Sequence, residues 1–236
     1  MSDILSAYRS YIEANFHDGP HPKENAAPFV TISRQTGAGG VTIGRKLSAY
    51  LREHDKGAGD CAWEVLDKSL VHRVLQDHAL SERIEEFMPE DRVSQISDTL
   101  DEILGLHPAA WVLVRKTSET IARLASLGRV ILVGRGANVM TRKLPGGFHV
   151  RLVGSLPVRI RHVESYFGLN RHQAETLVKT EDEGRRHYLK EYFGKNIDDP
   201  LLYDLVVNTD HIPYDEAARL IGHAVLQASR VASPSG

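Results

Sequence analysis

The stretch FVTISRQTGAGGVTIGRKLSAYL, residues 29–51, decides how the rest of the chain is read. It begins with an apolar run of strand length, Phe29 to Ser33, followed by three glycines within four positions. From Val41 onward, Ile43, Leu47 and Leu51 recur at four-residue spacing, which predicts one buried helix face. Strand, glycine turn and helix together form the layout of a phosphate cradle. Closely spaced glycines let backbone N–H groups converge on phosphate oxygens, and the positive end of the helix adds to the attraction. Gly37, Ala38, Gly39, Gly40, Val41 and Thr42 are the residues such a cradle would use. The plainer alternative is a tight turn that only packs strand against helix. A dinucleotide fingerprint, G-x-G-x-x-G, fits less well, because Thr42 stands where its third glycine belongs.

Composition limits the functions open to this chain. Its 236 residues suit one α/β domain with a substantial core. A hydrophobic content of 42% and a charged content of 25% are ordinary for a soluble protein, and a net charge of -2 argues against a partner made of nucleic acid. The single cysteine, Cys61, excludes an internal disulfide and a Cys-rich zinc site, which points to a cytoplasmic location. The start MSDILSAYRSYIEANF has no basic region leading into an apolar run, so it reads as no secretory signal. No apolar stretch approaches the length of a membrane span, so no membrane partner is expected. His17 and His21 are four residues apart, but the Gly19-Pro20 pair between them makes a solvated linker the better reading. No residue is assigned to a metal.

Beyond the opening stretch, punctuation divides the chain into alternating strands and helices. Ile4, Leu5, Tyr8, Tyr11 and Ile12 predict an amphipathic helix, through which the chain would pair with a second copy, and HDGPHPKENAAP reads as a linker. WEVLD (63–67) is a short strand entering the helix SLVHRVLQDHAL. Residues 81–127 read as helical, broken near Pro89 and Pro108, with the acids between 83 and 104 forming a solvated face. RVILVGRG (129–136) and FHVRLVG (148–154) are strands, LPVRIRHVESYF and residues 171–193 are helices, YDLVVNT is the last strand and PYDEAARLIGHAVLQASR the closing helix. Near-continuous apolar strands alternating with helices predict a parallel sheet covered on both faces. The expected division is an N-terminal helix and linker over 1–28, one domain over 29–230 and a short tail over 231–236.

Such sheets bind ligands beyond the carboxyl ends of their strands. Three of these ends carry informative residues: the glycine turn, LDKSLVHR (66–73) and VGRGAN (133–138). Their order resembles the cytidylate kinase family of P-loop nucleoside monophosphate kinases, and ISRQTGAGG is similar to a divergent cytidylate kinase-like branch that opens with I-S-R and ends its loop in Gly-Gly. The likeness runs from about Phe29 to Leu226. It implies a three-layer P-loop kinase-type α/β fold with a helical acceptor-side insertion at about 77–127 and a lid at about 171–196. It also implies ATP-dependent phosphoryl transfer to a nucleoside monophosphate or a related small phosphate-bearing acceptor, with Mg2+. The expected partners are therefore nucleotide substrates.

Carried onto this chain, the resemblance gives residues 37–40 the donor phosphates. Asp67 is placed beside the acceptor or the metal ion, with Arg73 and Arg135 on the acceptor phosphate. In the long helix, Asp182 and Arg185 match the D-x-x-R of the family's lid, where the arginine approaches the transferring group. Two residues three apart share a helix face, so the pair can act together. The departures are equally specific. The full motif G-x-x-x-x-G-K-[ST] supplies a lysine to the phosphates and a hydroxyl to magnesium, where this chain has Gly40 and Val41. Arg34, at the position of the motif's first glycine, is the candidate replacement cation, and Thr42 the candidate hydroxyl. The cytosine-reading aspartate of the family's G-R-D is Gly136 here, and Lys68 follows Asp67. Arg159 and Arg161 match arginines of the family, although pairing with Glu164 also accounts for them. If catalysis is lost with the lysine, the alternative is a noncatalytic nucleotide sensor.

Overall fold

The computed structural model describes residues 27–55, 63–67 and 107–232. The expected N-terminal helix, Lys68, the helix that follows it, Arg73 and the acidic cluster at 83–104 lie outside the described residues. Five strands, β1 (Phe29–Arg34), β2 (Glu64–Leu66), β3 (Val130–Val133), β4 (Gly147–Val153) and β5 (Leu205–Asn208), form one sheet in the order β2-β3-β1-β4-β5. Every neighbouring pair is parallel. The helices are α1 (Gly40–His54), α2 (His107–Leu127), α3 (Ala137–Met140), α4 (Leu156–Phe167), α5 (Arg171–Phe193) and α6 (Tyr214–Ala232). None of the described helices is long and apolar enough to cross a membrane.

The central strand β1 lies between β3 and β4, and its two faces differ. Val30 and Ile32, with Val150 and Leu152 of β4, pack against Ile43, Leu47 and Leu51 of α1 and Ala217, Ile221 and Val225 of α6. The 3.6-residue period of α1 and the two-residue period of β1 thus meet in one apolar layer. On the opposite face the register partners Thr31 and His149 share a hydrogen bond of 2.8 Å, and buried Arg151 donates to its partner Ser33 at 2.9 Å. Arg151 also reaches Asp198 at 3.1 Å. Burial pushes the His149 imidazole down to about 4, with Asp204 opposing that shift and Arg142 adding to it. The strands were expected to be apolar on both faces; at these positions the second face carries a satisfied polar ladder instead. Polar groups can be buried there because each finds a partner.

Element boundaries depart from the sequence reading where glycine and proline decide them. α1 begins at Gly40, one residue before the expected start. β3 stops at Val133, and the Gly-Arg-Gly that follows is a turn rather than strand. α2 begins at His107, which puts Pro108 in its first turn, where a proline removes no intrahelical bond. The 107–127 segment, read as the end of the acceptor-side insertion, packs Ile121, Leu124 and Ala125 with Leu132 of β3 and Phe29 of β1. Trp63 is fully buried and its indole N–H donates to Asp55.

Candidate active site

The site is built on the loop between β1 and α1. Gln35 N–H continues the sheet by donating to Leu152 O, and Ala38 N–H closes a turn on Gln35 O. Gly37 and Gly39 then take left-handed conformations, with φ of 81° and 83°. A β-carbon at Gly37 would lie 2.4 Å from the carbonyl oxygen of Arg159, and one at Gly39 would lie 2.6 Å from the Tyr214 ring. Only glycine fits both the conformation and the space. Among the described residues, the backbone N–H groups of Gly37, Gly39, Gly40, Val41 and Thr42 donate to no protein acceptor. A row of unspent donors at the start of a fifteen-residue helix favours an anion. The loop therefore fits the phosphates of a nucleotide.

The carbonyls of the loop are tied back from its outer side. Arg159 donates to Thr36 O at 3.0 Å, and His162 Nδ1 lies 2.9 Å from Gly37 O. The Tyr214 hydroxyl is 2.9 Å from the same imidazole nitrogen and 3.4 Å from Gly37 O. In a trans peptide the C=O and the next N–H point in opposite directions. Holding Thr36 O toward Arg159 therefore turns Gly37 N–H away from it.

Arg34 and Gly40 explain each other. A β-carbon at Gly40 would come within 2.9 Å of Arg34 Cγ and 3.3 Å of its Cβ and Cδ. The stem of a half-buried arginine thus occupies the space beside the position where the full motif has lysine. Thr42, the one hydroxyl in the first turn of α1, is exposed.

Asp182 and Arg185 from α5 are brought onto the loop. Thr36 N–H donates to Asp182 Oδ1 at 2.7 Å, and the Thr36 hydroxyl to Glu181 Oε2 at 2.8 Å. Arg185 donates to the Thr36 hydroxyl and pairs with Glu181 at 3.0 Å and Asp182 at 3.3 Å. Arg159 reaches Asp182 Oδ2 at 2.7 Å and Gly154 O at 2.9 Å. Both arginines are buried and their acids partly so, and a hydrogen bond to a charged group is worth about 1.5–3 kcal/mol. The pairing of Arg159 with Glu164, one of the two readings the sequence left open, is replaced by Asp182, because α4 packs side by side with α5. Arg161 is exposed, and Arg186, nearly half exposed, pairs with Glu183.

At the end of β3 the chain turns through Gly134, Arg135 and Gly136, all left-handed, with φ of 87°, 56° and 68°. A left-handed arginine is strained, and such strain gathers at functional sites. Gly134 N–H donates to Ile32 O, which sets this turn beside the end of β1. Asp67 directly follows β2, the other neighbour of β3. A β-carbon at Gly136 would lie 3.2–3.4 Å from Phe193, Leu189 and Tyr188 of α5, so the position of the family's cytosine-reading aspartate is closed by apolar side chains. No group of three His, Cys, Asp or Glu side chains suited to a metal ion occurs among the described residues.

The structure thus gathers Arg34, the glycine loop, Asp182 and Arg185 at one place and sets Arg135 and Asp67 on adjoining strand ends. It adds Thr36, Arg159, His162, Glu181 and Tyr214, which the sequence reading did not assign to the loop.

Comparison with known proteins agrees with the fold. The model of the cytidylate kinase-like family matches residues 29–211. The chain belongs to that family. Among solved structures, it is similar to an uncharacterized protein from Eubacterium ventriosum, with 18% identity and a TM-score of 0.61, over 85% of this chain and 98% of the other. A gluconokinase from Sinorhizobium meliloti gives 14% identity and a TM-score of 0.49, over 89% and 97% of the two chains. A shikimate kinase from Acinetobacter baumannii in complex with shikimate gives 15% identity and 0.46, over 86% and 95%. A comparison with curated proteins finds no match.

Proposed function

We propose that this cytidylate kinase-like chain transfers the terminal phosphoryl group of ATP to a nucleoside monophosphate or a related small phosphate-bearing acceptor. The carrying observation is the set of unspent N–H groups on Gly37 and on residues 39–42, behind two obligatory glycines, at the carboxyl end of the central strand. In the transfer an acceptor phosphate oxygen forms the new P–O bond, the bond to the bridging oxygen breaks, and ADP leaves. Such chemistry needs positioning and charge stabilisation above all. On this reading the loop holds the donor phosphates, Arg34 supplies the cation that Gly40 does not, and Arg185 with Asp182 borders the transferring group. Asp67, Arg73 and Arg135 take the acceptor. Magnesium, when bound, would neutralise phosphate charge, and Thr42 would be the loop hydroxyl to hold it.

Closure of Gly136 by Phe193, Leu189 and Tyr188 favours an acceptor that is not read as cytosine at that position. The substitution of Gly40 and Val41 for lysine and hydroxyl favours a second reading, a nucleotide sensor without turnover. A thermal-shift screen over nucleoside mono-, di- and triphosphates, followed by an ADP-release assay with the acceptors that stabilise the protein, separates the two. Release of ADP that depends on acceptor supports the kinase. Triphosphate binding without ADP release across all acceptors supports the sensor, and no triphosphate binding overturns both.

A further inference from the structure

We infer that residues 181–185 of α5 form a fixed clasp on the glycine loop and not the moving part of a lid, and that Arg159 is the positioning residue that holds the clasp closed. Every polar atom of Thr36 is taken by this clasp. Its N–H goes to Asp182, its hydroxyl bonds Glu181 and Arg185, and its carbonyl accepts from Arg159. Asp182 is equally committed, with Oδ1 on Thr36 N–H and Arg185 and Oδ2 on Arg159. Arg159 spends Nε on Gly154 O and Nη1 on Thr36 O and Asp182. Its guanidinium joins the end of β4, the loop and α5 at a single buried point.

The packing on either side of the clasp supports the same assignment. Toward the start of α5, Ala174 and Val178 are fully buried against Ile160 and Val163 of α4. Toward its end, Tyr188 and Leu189 pack with Val114 of α2 and Ile197. A swing of residues 171–193 would uncover both apolar clusters and separate two buried guanidiniums from their acids. Such a motion is opposed along the whole helix, not at one latch. With α5 fixed, Arg159 fixes the Thr36 carbonyl and hence the direction of the next N–H, that of Gly37. Its effect on phosphate therefore passes through Asp182 and Thr36; that last step rests on the proposal that the loop holds the donor phosphates.

Hydrogen exchange on the full chain tests the clasp without requiring any nucleotide. In the wild type, the amides of Thr36 and residues 181–190 should exchange slowly, and addition of ATP should change their rates by less than about twofold. Slow exchange only with ATP, a change of about tenfold or more, would show a moving lid and overturn the inference. Arg159→Ala should speed exchange at Thr36 and across 181–185 by about tenfold or more while β1 and β3 stay protected, with Arg159→Lys intermediate. Unchanged exchange at Thr36 in Arg159→Ala would also overturn it. If Arg159→Ala does not fold, Thr36→Val, which removes only the hydroxyl contacts, should loosen the same segment in part, and no change there counts against the clasp.

ATP titration then asks whether Arg159 acts through Asp182. A combined Arg159→Ala and Asp182→Asn variant should lose no more affinity than the worse single variant, whereas multiplied losses would mean that the two act on the loop independently and overturn the single clasp. A wild type that binds no ATP would sink the nucleotide reading and leave the clasp to be judged by exchange alone.

Discussion

Two glycine turns close adjacent strands of this sheet, and they differ in how many of their amides are spent on the protein. The turn after β1, residues 35–39, leaves the amides of Gly37, Gly39, Gly40 and Val41 without an acceptor among the described residues and opens onto fifteen residues of helix. The turn after β3 spends more of its amides locally, with Gly134 N–H on Ile32, Ala137 N–H on Gly134, and Val139 and Met140 N–H on Gly136, while those of Gly136 and Asn138 donate to no acceptor among the described residues. It leads into only four residues of helix. Both turns are left-handed, so conformation alone does not make an anion site; the fate of the N–H groups does. On the proposed assignment the first turn is a cradle made of main chain, and the second is a mount that presents one side chain, Arg135.

The strongest challenge to this contrast is Gly37→Ala. A β-carbon facing the Arg159 carbonyl at 2.4 Å, in a left-handed conformation, should cost about 2 to 5 kcal/mol, visible as a lowered midpoint in urea unfolding. A neutral result would mean that the loop is not held as described. Next in size is an effect that both turns should feel alike, because it acts on the sheet beneath them. His149 titrates near 6.5 when unfolded and about 4 when folded, so the unfolded chain binds more protons between these values. Stability should be complete above about pH 6.5 and fall by about 3 kcal/mol as pH drops to 4. His149→Gln should flatten that slope in denaturant titrations across the same range, and an unchanged slope would place the proton elsewhere.

Smaller effects separate cradle from mount. Arg34→Ala should remove a charge-assisted phosphate contact of about 1.5–3 kcal/mol, which is about tenfold to over a hundredfold in turnover. The double change Gly40→Lys with Val41→Thr should bring little gain while Arg34 is present, as steady-state ADP release would show. Smallest is Arg135→Gly. Relief of the left-handed strain should raise stability by about 1 kcal/mol, while loss of the cation should raise the acceptor's KM and leave kcat nearly unchanged. A fall in kcat without a change in KM would move Arg135 from mount to chemistry.

The sequence made the cradle legible because its signal is local. An apolar run, three glycines and a four-residue apolar spacing all fall within residues 29–51, and the bounds read for α4 and α5 match the structure, which has Pro157, Gly168, Asn170 and Gly194 at their ends. The clasp was not legible. Thr36 meets residues more than a hundred positions away, and Arg159 had an adequate local partner in Glu164. No period or spacing marks Glu181 among the charges of EDEGRRHYLKEY as the acid that reaches a threonine hydroxyl, nor His162 and Tyr214 as partners of one carbonyl. The polar ladder of Thr31, Ser33, His149 and Arg151 escaped for a related reason. FVTISR and FHVRLV read as buried strands, and which alternate positions pair across the sheet depends on register.

The contact between Arg34 and Gly40 also bears on how this loop could change by descent. Gaining a lysine at position 40 while Arg34 remains would set two stems in the same space and two like charges side by side. Losing Arg34 first would leave the phosphates without either cation. On the proposed assignment each single step lowers fitness and only the pair restores it, a reciprocal epistasis that separates the I-S-R loop from the lysine loop by a valley. Once the cation is supplied from the strand instead of the helix, neutral drift offers no short path back.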